Sequence, residues 1–361
     1  KRFKSVEIPF KHLWVSAFYY DSASKKYYFG FSVFSEGIGC WNSKSKNWQL
    51  IKPESNMVKS VPGNSSDFSV NKIYKDEKGV IWIATAFNGL CYLDIKQNKI
   101  KQFLLPNKKP LPVRSPIFGL FEDSKQQLWV GTRTEGVFCI NQERTRYNHY
   151  LHDEKDSMSI SSGNSFVSFE EDKYGKIWMG NRNGFCVFNP KTQKFSRTIF
   201  QKLKEQGINS GLTQSILKDT LNRIWVTILD QGLIRITEKE ENKIDYKIFQ
   251  TESGLKNLAI NYMTKDKNGC FWIVNDGILF FNPYDETYVI IDDNHGMLDN
   301  CSGDDKIMID EYGNLFTGSQ VGINWVKEVQ NYSGIDHVKL FIEQLSINGN
   351  PIEWNSSETR K

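Results

Sequence analysis

Residues able to do chemistry are few in this sequence and stand apart from one another. Of the five histidines, only His149 and His152 are close together. With Asp153 they have the donor types of a metal site, but the strand pattern puts His149 at the end of an outer strand and His152 on an exposed loop. No metal is expected there. Of the six cysteines, Cys40, Cys91, Cys139 and Cys186 fall two or three residues after a glycine that recurs along the chain, while Cys270 and Cys301 sit elsewhere. No C-x-x-C spacing occurs, so buried free thiols are expected, with no zinc or redox role. Acidic groups occur at Glu170-Glu171-Asp172 and Asp304-Asp305. The first contains a turn aspartate and reads as structural; the second interrupts an otherwise apolar strand near the centre of the fold. Two carboxylates cleave a glycosidic bond only when they oppose each other across it, which spacing does not reveal. The sequence has no phosphate-binding G-x-x-x-x-G-K, no G-x-G-x-x-G after a strand, no G-x-S-x-G and no H-E-x-x-H. The reading is no catalytic residue and no cofactor.

Tryptophan is the remaining candidate, since aromatic platforms bind sugars. Five of the ten, however, recur inside one pattern: Ile81-Trp82-Ile83, Leu128-Trp129-Val130, Ile177-Trp178-Met179, Ile224-Trp225-Val226 and Phe271-Trp272-Ile273, spaced by 47, 49, 47 and 47 residues. Tyr28 and Phe316 hold the position in two weaker flanking copies, which makes seven. Such a position reads as packing between repeats, so these indoles are expected to be buried.

Each copy contains four short strands. An apolar inner strand such as Val70 to Tyr74 leads to an aspartate six residues before the tryptophan position (Asp76, Asp123, Asp172, Asp219, Asp266, Asp310). In four copies a glycine follows three residues later (Gly79, Gly175, Gly269, Gly313). Asp bonds to its own turn and Gly supplies positive φ, so D-x-x-G is hairpin chemistry. The tryptophan strand comes next, then a variable loop, then a third strand opened by glycine (Gly37, Gly89, Gly136, Gly184, Gly232, Gly277, Gly322) and a polar fourth strand. Four antiparallel strands per copy make a propeller blade. The fold class is therefore all-β, a seven-bladed β-propeller of four-stranded antiparallel blades. The blades are expected near 12–50, 68–104, 115–150, 163–200, 211–249, 257–291 and 300–342, with only Ile199 to Gln206 able to form a short helix.

A chain of 361 residues exceeds the usual single-core limit, yet seven blades of this size close into one ring. The 46 basic and 42 acidic residues give a net charge of +4, spread along the chain without a basic block. Nucleic acid is not favoured as a partner, nor is direct membrane contact. No run approaches 18 apolar residues, and Lys1-Arg2-Phe3-Lys4 does not begin a signal peptide. The chain reads as a piece of a longer protein.

The unit D-x-x-G-x-[IL]-W-[IV]-[GA]-T-x-x-x-G-[LV], as in Asp76 to Leu90, resembles the two-component regulator propeller repeat of the periplasmic sensor regions of Bacteroidetes hybrid two-component systems. The stretches from His152 to Ser161 and from Glu252 to Leu255 look like that family's connectors between blades. Val338 to Ile352 is similar to the opening of the immunoglobulin-like domain that follows such propellers. The resemblance covers about residues 12–330 and divides the chain into three: 1–11 as a closing strand or the tail of a preceding propeller, 12–337 as the ring, and 338–361 as its last strand or the start of the immunoglobulin-like domain. It implies a periplasmic sensor that detects glycan-derived oligosaccharides and signals to a membrane-linked histidine kinase. The intact receptor would self-associate through regions outside or at the end of this chain. A propeller glycosidase or polysaccharide lyase is the alternative, and a protein-binding scaffold a second.

In that architecture the loops between second and third strands share one face with the connections between blades. They vary in length while the D-x-x-G turns opposite repeat, and variable loops on a rigid scaffold carry binding. The expected ligand residues are Phe87 and Asn88, Arg133 and Glu135, Asn181, Arg182 and Asn183, and Asp230 and Gln231. They offer an aromatic surface, guanidiniums, amides and carboxylates suited to sugar hydroxyls.

Overall fold

A strand that meets protein on both faces reads as an unbroken apolar run, and Ile81-Trp82-Ile83-Ala84 is one. Ile81 and Ile83 pack toward the preceding repeat, whereas Trp82 and Ala84 pack toward the following one. The computed structural model describes residues 3–6, 15–32, 35–55, 57, 68–161, 164–208, 211–240, 243–249, 262–274, 277–291, 307–319, 322–326, 345–347 and 350–352. These form a seven-bladed β-propeller whose blades are four-stranded and antiparallel.

The second blade shows the plan: Val70–Lys75 innermost, then Ile81–Thr85, Leu90–Asp94 and, outermost, Lys99–Gln102. Seven buried apolar clusters fill the seven interfaces between adjacent blades, the last joining Phe316 and Ile323 to Val15, Tyr27, Phe29 and Trp41 of the first blade. The seventh sheet takes its outer strand from Phe3–Val6, which pairs with Gly322–Val326 in the register Phe3↔Val326 to Val6↔Ile323. The seventh blade thereby gains its fourth strand from Phe3–Val6, which covers the edge of Gly322–Val326. Residues 338–342, the other candidate for this place, lie outside the described residues. Leu345–Ile347 and Asn350–Ile352 form a separate hairpin.

Trp82, Trp129, Trp178, Trp225 and Trp272 are at most 3% exposed, each in the interface with the next blade. They are structural, as the repeat reading requires. Their spacing from the aspartates has a second cause beyond the turn. Asp123 Oδ1 accepts the N–H groups of Lys125 and Gln127 at 3.0 and 2.8 Å, while Oδ2 accepts the indole N–H of Trp129 at 2.8 Å. The same indole bond recurs from Trp82 to Asp76, Trp178 to Asp172, Trp225 to Asp219 and Trp272 to Asp266. Where Phe316 replaces tryptophan, Asp310 Oδ2 accepts instead from Asn314 Nδ2 and, across the ring closure, from the Tyr27 hydroxyl at 2.6 Å. In the first blade the turn is one residue longer, so Tyr28 takes the tryptophan's cross-strand position seven residues after Asp21.

The turn glycines adopt positive φ, for example 84° at Gly79. Blades lacking the glycine place Gln126 and Asn222 in the same left-handed conformation, at 57° and 59°. The helix Thr198–Glu205 lies between the fourth and fifth blades and buries Phe200 and Leu203. It needs Gly184, because a Cβ there would meet Phe200 Cζ at 2.2 Å.

The residues first singled out for chemistry are mostly structural ties. His149 stacks on Phe138 and its Nε2 lies 2.7 Å from the Glu135 carbonyl oxygen, whereas His152 Nδ1 lies 2.8 Å from that of Ile160. No cluster of metal-ligating side chains occurs among the described residues. Glu171 accepts from the Ser124 N–H and hydroxyl of the third blade, and Glu170 accepts the Lys218 N–H of the fifth. Burial raises the Glu170 carboxyl above the ordinary range. Cys40, Cys91, Cys139 and Cys186 are buried free thiols and Cys270 a partly buried one; burial pushes Cys139 up to about 12 and Cys270 to about 11. Cys301, Asp304 and Asp305 lie outside the described residues.

Candidate functional site

Because each blade's strands alternate in direction, the loops between second and third strands end on the face where the chain crosses from blade to blade. The loop Arg133-Thr134-Glu135-Gly136 of the third blade is built locally. Thr132 Oγ1 donates to the Gly136 carbonyl at 2.8 Å and accepts the Glu135 N–H at 2.9 Å, and Gly136 has φ 64°. The loop is then tied to the lead-in segments of two blades. Arg133 N donates to Pro116 O (2.8 Å), and Thr134 N to Ser115 Oγ (2.9 Å). Ser165 N donates to Arg133 O (2.7 Å), and Arg182 N to Asn164 O (2.8 Å). Glu135 Oε2 accepts the N–H groups of both Arg114 and Ser115, at 2.8 and 3.1 Å.

These ties border an open cavity of about 470 Å³ between the third and fourth blades, lined by Arg114, Ser115, Pro116, Arg133, Thr134, Glu135, Asn164, Ser165 and Arg182, with all three arginines exposed. Backbone bonds fix the Cα positions of all three arginines. Their guanidiniums make no side-chain hydrogen bond or ion pair among the described residues. Ser165, in the cavity wall, holds a left-handed φ of 61°. Strained backbone of this kind clusters at binding sites.

Of the nine residues expected from sequence, Arg133, Glu135 and Arg182 converge on this cavity. The others do not line it. Phe87 is 48% exposed on the second blade's loop, while the Asn88 side chain beside it is buried. Asn181 is fully buried: its Nδ2 donates to Ser161 Oγ and its Oδ1 accepts the Asn183 N–H, so it shapes the loop and does not face solvent. Asn183 is exposed, as is Asp230 on the fifth blade, where Gln231 Nε2 bonds the Asp230 carbonyl at 3.1 Å. The sequence reading passed over Arg114, Ser115, Asn164 and Ser165. They belong to the connections between blades, and the signal that finds them is their place just before an inner strand.

A second space, about 260 Å³, runs along the ring axis between the inner strands. Ser16, Asn71, Phe118, Gln214, Ser215 and Thr264 line it, and Lys72 is its one charged residue among those described. Burial lowers the Lys72 pKa. Neither a histidine nor a carboxylate lines it among the described residues.

No family model matches this chain. Its fold is that of the extracellular domains of two hybrid two-component systems of B. thetaiotaomicron. One is 20% identical at a TM-score of 0.69, covering 91% of this chain and 41% of the other. The second is 16% identical at 0.65, covering 88% and 40%. Virginiamycin B lyase of Staphylococcus aureus shares the fold at 12% identity and a TM-score of 0.66, covering 91% of this chain and 99% of that one. In sequence, the chain is 28% identical over 190 residues, 51% of its length, to a histidine kinase of Formosa agariphila. No described helix is long and apolar enough to cross a membrane. The chain thus resembles the extracellular domains of hybrid two-component systems in fold and a histidine kinase in part of its sequence, spanning 13% of that kinase's length.

Proposed function

We propose that this chain is the ligand-recognition part of a hybrid two-component receptor, placed in the periplasm, where it detects glycan-derived oligosaccharides and signals to a histidine kinase elsewhere in the same protein. The observation that carries this reading is the polar cavity at the loop face between the third and fourth blades. Its hydroxyls, amide and guanidiniums suit a hydroxyl-rich ligand, and its volume falls within the range of about 300–1,000 Å³ usual for small-molecule sites. The fold shared with extracellular domains of two-component systems and the partial likeness to a histidine kinase support the receptor context. The hairpin at Leu345–Ile347 and Asn350–Ile352 fits the start of an immunoglobulin-like domain, and the proposed receptor is expected to self-associate when intact, through regions outside or at the end of this chain.

A second reading is enzymatic, because a lyase has the same fold over nearly its whole length. The described residues lining the axial channel include no acid–base pair, and Asp304 and Asp305 lie outside the described residues. One experiment addresses both readings. The chain is heated with a panel of oligosaccharides from different glycans, and each mixture is then analysed for cleavage. A ligand that binds the native state raises the melting temperature by mass action. The sensor reading expects a raised melting temperature with the saccharide recovered intact. Cleaved product establishes the enzymatic reading, and no shift with any saccharide contradicts the sensor.

A further inference from the structure

Among the described residues, Arg144, Arg197, Arg223 and Arg235 bond through their guanidiniums, whereas Arg114, Arg133, Arg146 and Arg182 do not. Arg144 Nη2 pairs with Glu122 at 2.6 Å and lies 3.3 Å from Asp76; Arg223 Nε pairs with Asp219 at 2.6 Å; Arg235 pairs with Glu286; and Arg197 donates to the Ser157 carbonyl at 2.7 Å. Arg114, Arg133 and Arg182 have no such partner among the described residues, and all three line the same cavity. Their backbones are fixed by the hydrogen bonds described above, so three exposed arginines are anchored around one open cavity. Like charges brought together repel, and an anion among them relieves that repulsion.

The cavity's own carboxylate does not do so fully. Glu135 is the one acidic residue in the lining, and its Oε2 is committed to the N–H groups of Arg114 and Ser115. Three guanidiniums against one carboxylate give the lining a net excess of positive charge. A guanidinium is a planar fork that matches the paired oxygens of a carboxylate or a sulfate, and it loses less hydration than an ammonium on pairing. Asn164, Ser165 and Thr134 add short polar side chains to the same lining.

We propose that this cavity is an anion subsite for an acidic saccharide, one bearing a carboxylate or a sulfate group. The assignment rests on the oligosaccharide-sensing reading and narrows it. Neutral sugars would leave the guanidiniums uncompensated, so charge selects among saccharides of similar shape.

The test is titration calorimetry of the chain with four probes: an oligogalacturonate, a sulfated galactan oligosaccharide, a neutral galactan oligosaccharide of equal length, and inorganic sulfate. One acidic oligosaccharide is expected to bind, with affinity falling as salt is raised, and the two acidic arms tell carboxylate from sulfate. Arg133→Ala with Arg182→Ala should weaken that binding roughly 100-fold, since each removes hydrogen bonds to a charged group. Arg146→Ala, at an exposed arginine outside the cavity, should leave it unchanged. Both arginine changes lie on exposed loops, and an unchanged melting temperature shows that the ring is intact. Equal affinity for the acidic and neutral oligosaccharides would leave glycan sensing standing and overturn the anion assignment. Undiminished affinity in the double variant would overturn it as well, by placing the site elsewhere. Inorganic sulfate binding as tightly as the saccharide would remove the saccharide from the proposal. Failure of every saccharide would contradict this inference and the sensing reading together.

Discussion

The indole Nε1 of Trp129 donates a 2.8 Å hydrogen bond to Oδ2 of Asp123, the carboxylate whose other oxygen closes the hairpin joining their two strands. One buried carboxylate therefore satisfies two turn N–H groups and an indole that would otherwise be stranded in the interface between blades. The arrangement recurs in five blades, and it fixes the distance between the two residues at six. Trp129→Phe keeps most of the packing but leaves Asp123 short of a donor. We expect a loss of about 1–3 kcal/mol in urea unfolding, against about 3–5 kcal/mol for Trp129→Ala. Equal losses would show that packing alone accounts for the residue.

Ring closure rests on the first blade meeting the seventh. Tyr27→Phe removes the 2.6 Å bond to Asp310 and leaves that buried carboxylate with Asn314 and its turn. A loss of about 1–3 kcal/mol is expected. Deleting residues 1–6, and with them the outer strand Phe3–Val6, should expose the edge of Gly322–Val326 and open the seventh blade to proteolysis before the others. Uniform proteolysis of all blades would argue against closure by this strand.

Gln126 and Asn222 stand where other blades have glycine, in a left-handed conformation that costs a residue with a Cβ roughly 1 kcal/mol. Gln126→Gly should accordingly be neutral to stabilising by up to about 1 kcal/mol, while Gly175→Ala should destabilise by a similar amount. Chemical denaturation of both variants checks this; destabilisation by Gln126→Gly would point to a contact of the Gln126 side chain that outweighs the strain, such as its 3.1 Å bond to Glu77.

Lys72 gives the molecule a pH signature. Its folded pKa is lowered by burial from the ordinary 10.5. Below the folded pKa both states are protonated, but the native state holds the charge less well solvated than the unfolded chain does, so the folded state is penalised. The penalty fades as pH rises through the folded pKa and is gone above about 10.5. Lys72→Met should therefore be more stable than the parent near neutral pH, with the difference shrinking as pH approaches 10.5. A constant difference between the two melting curves across that range would contradict the assignment.

The architecture was legible because a ring repeats its errors as well as its rules. Seven copies of one pattern identified the strands, the turns and the buried tryptophans, even where Gln126 replaced glycine or Phe316 replaced tryptophan. The indole bond was not legible, since the turn alone explained the aspartate. The lining of the cavity was legible in part. Arg133 and Arg182 advertise themselves as long cations in short loops, but Arg114 and Ser115 sit in a connection whose partner is set by the register of two blades. Asn181 does not line the cavity for a physical reason: its amide turns inward to Ser161 and Asn183. Side-chain direction in a two-residue loop depends on hydrogen bonds that residue type does not specify.

Recognition at the loop face between the third and fourth blades is the centre of this account, and a crystal structure with an oligosaccharide that raises the melting temperature tests it most directly. Saccharide density is expected in the cavity bounded by Arg114, Arg133, Asn164 and Arg182, within hydrogen-bonding distance of at least two of the guanidiniums. Density in the axial channel beside Lys72, or on the opposite face at the D-x-x-G turns, with the arginine cavity empty, would contradict it.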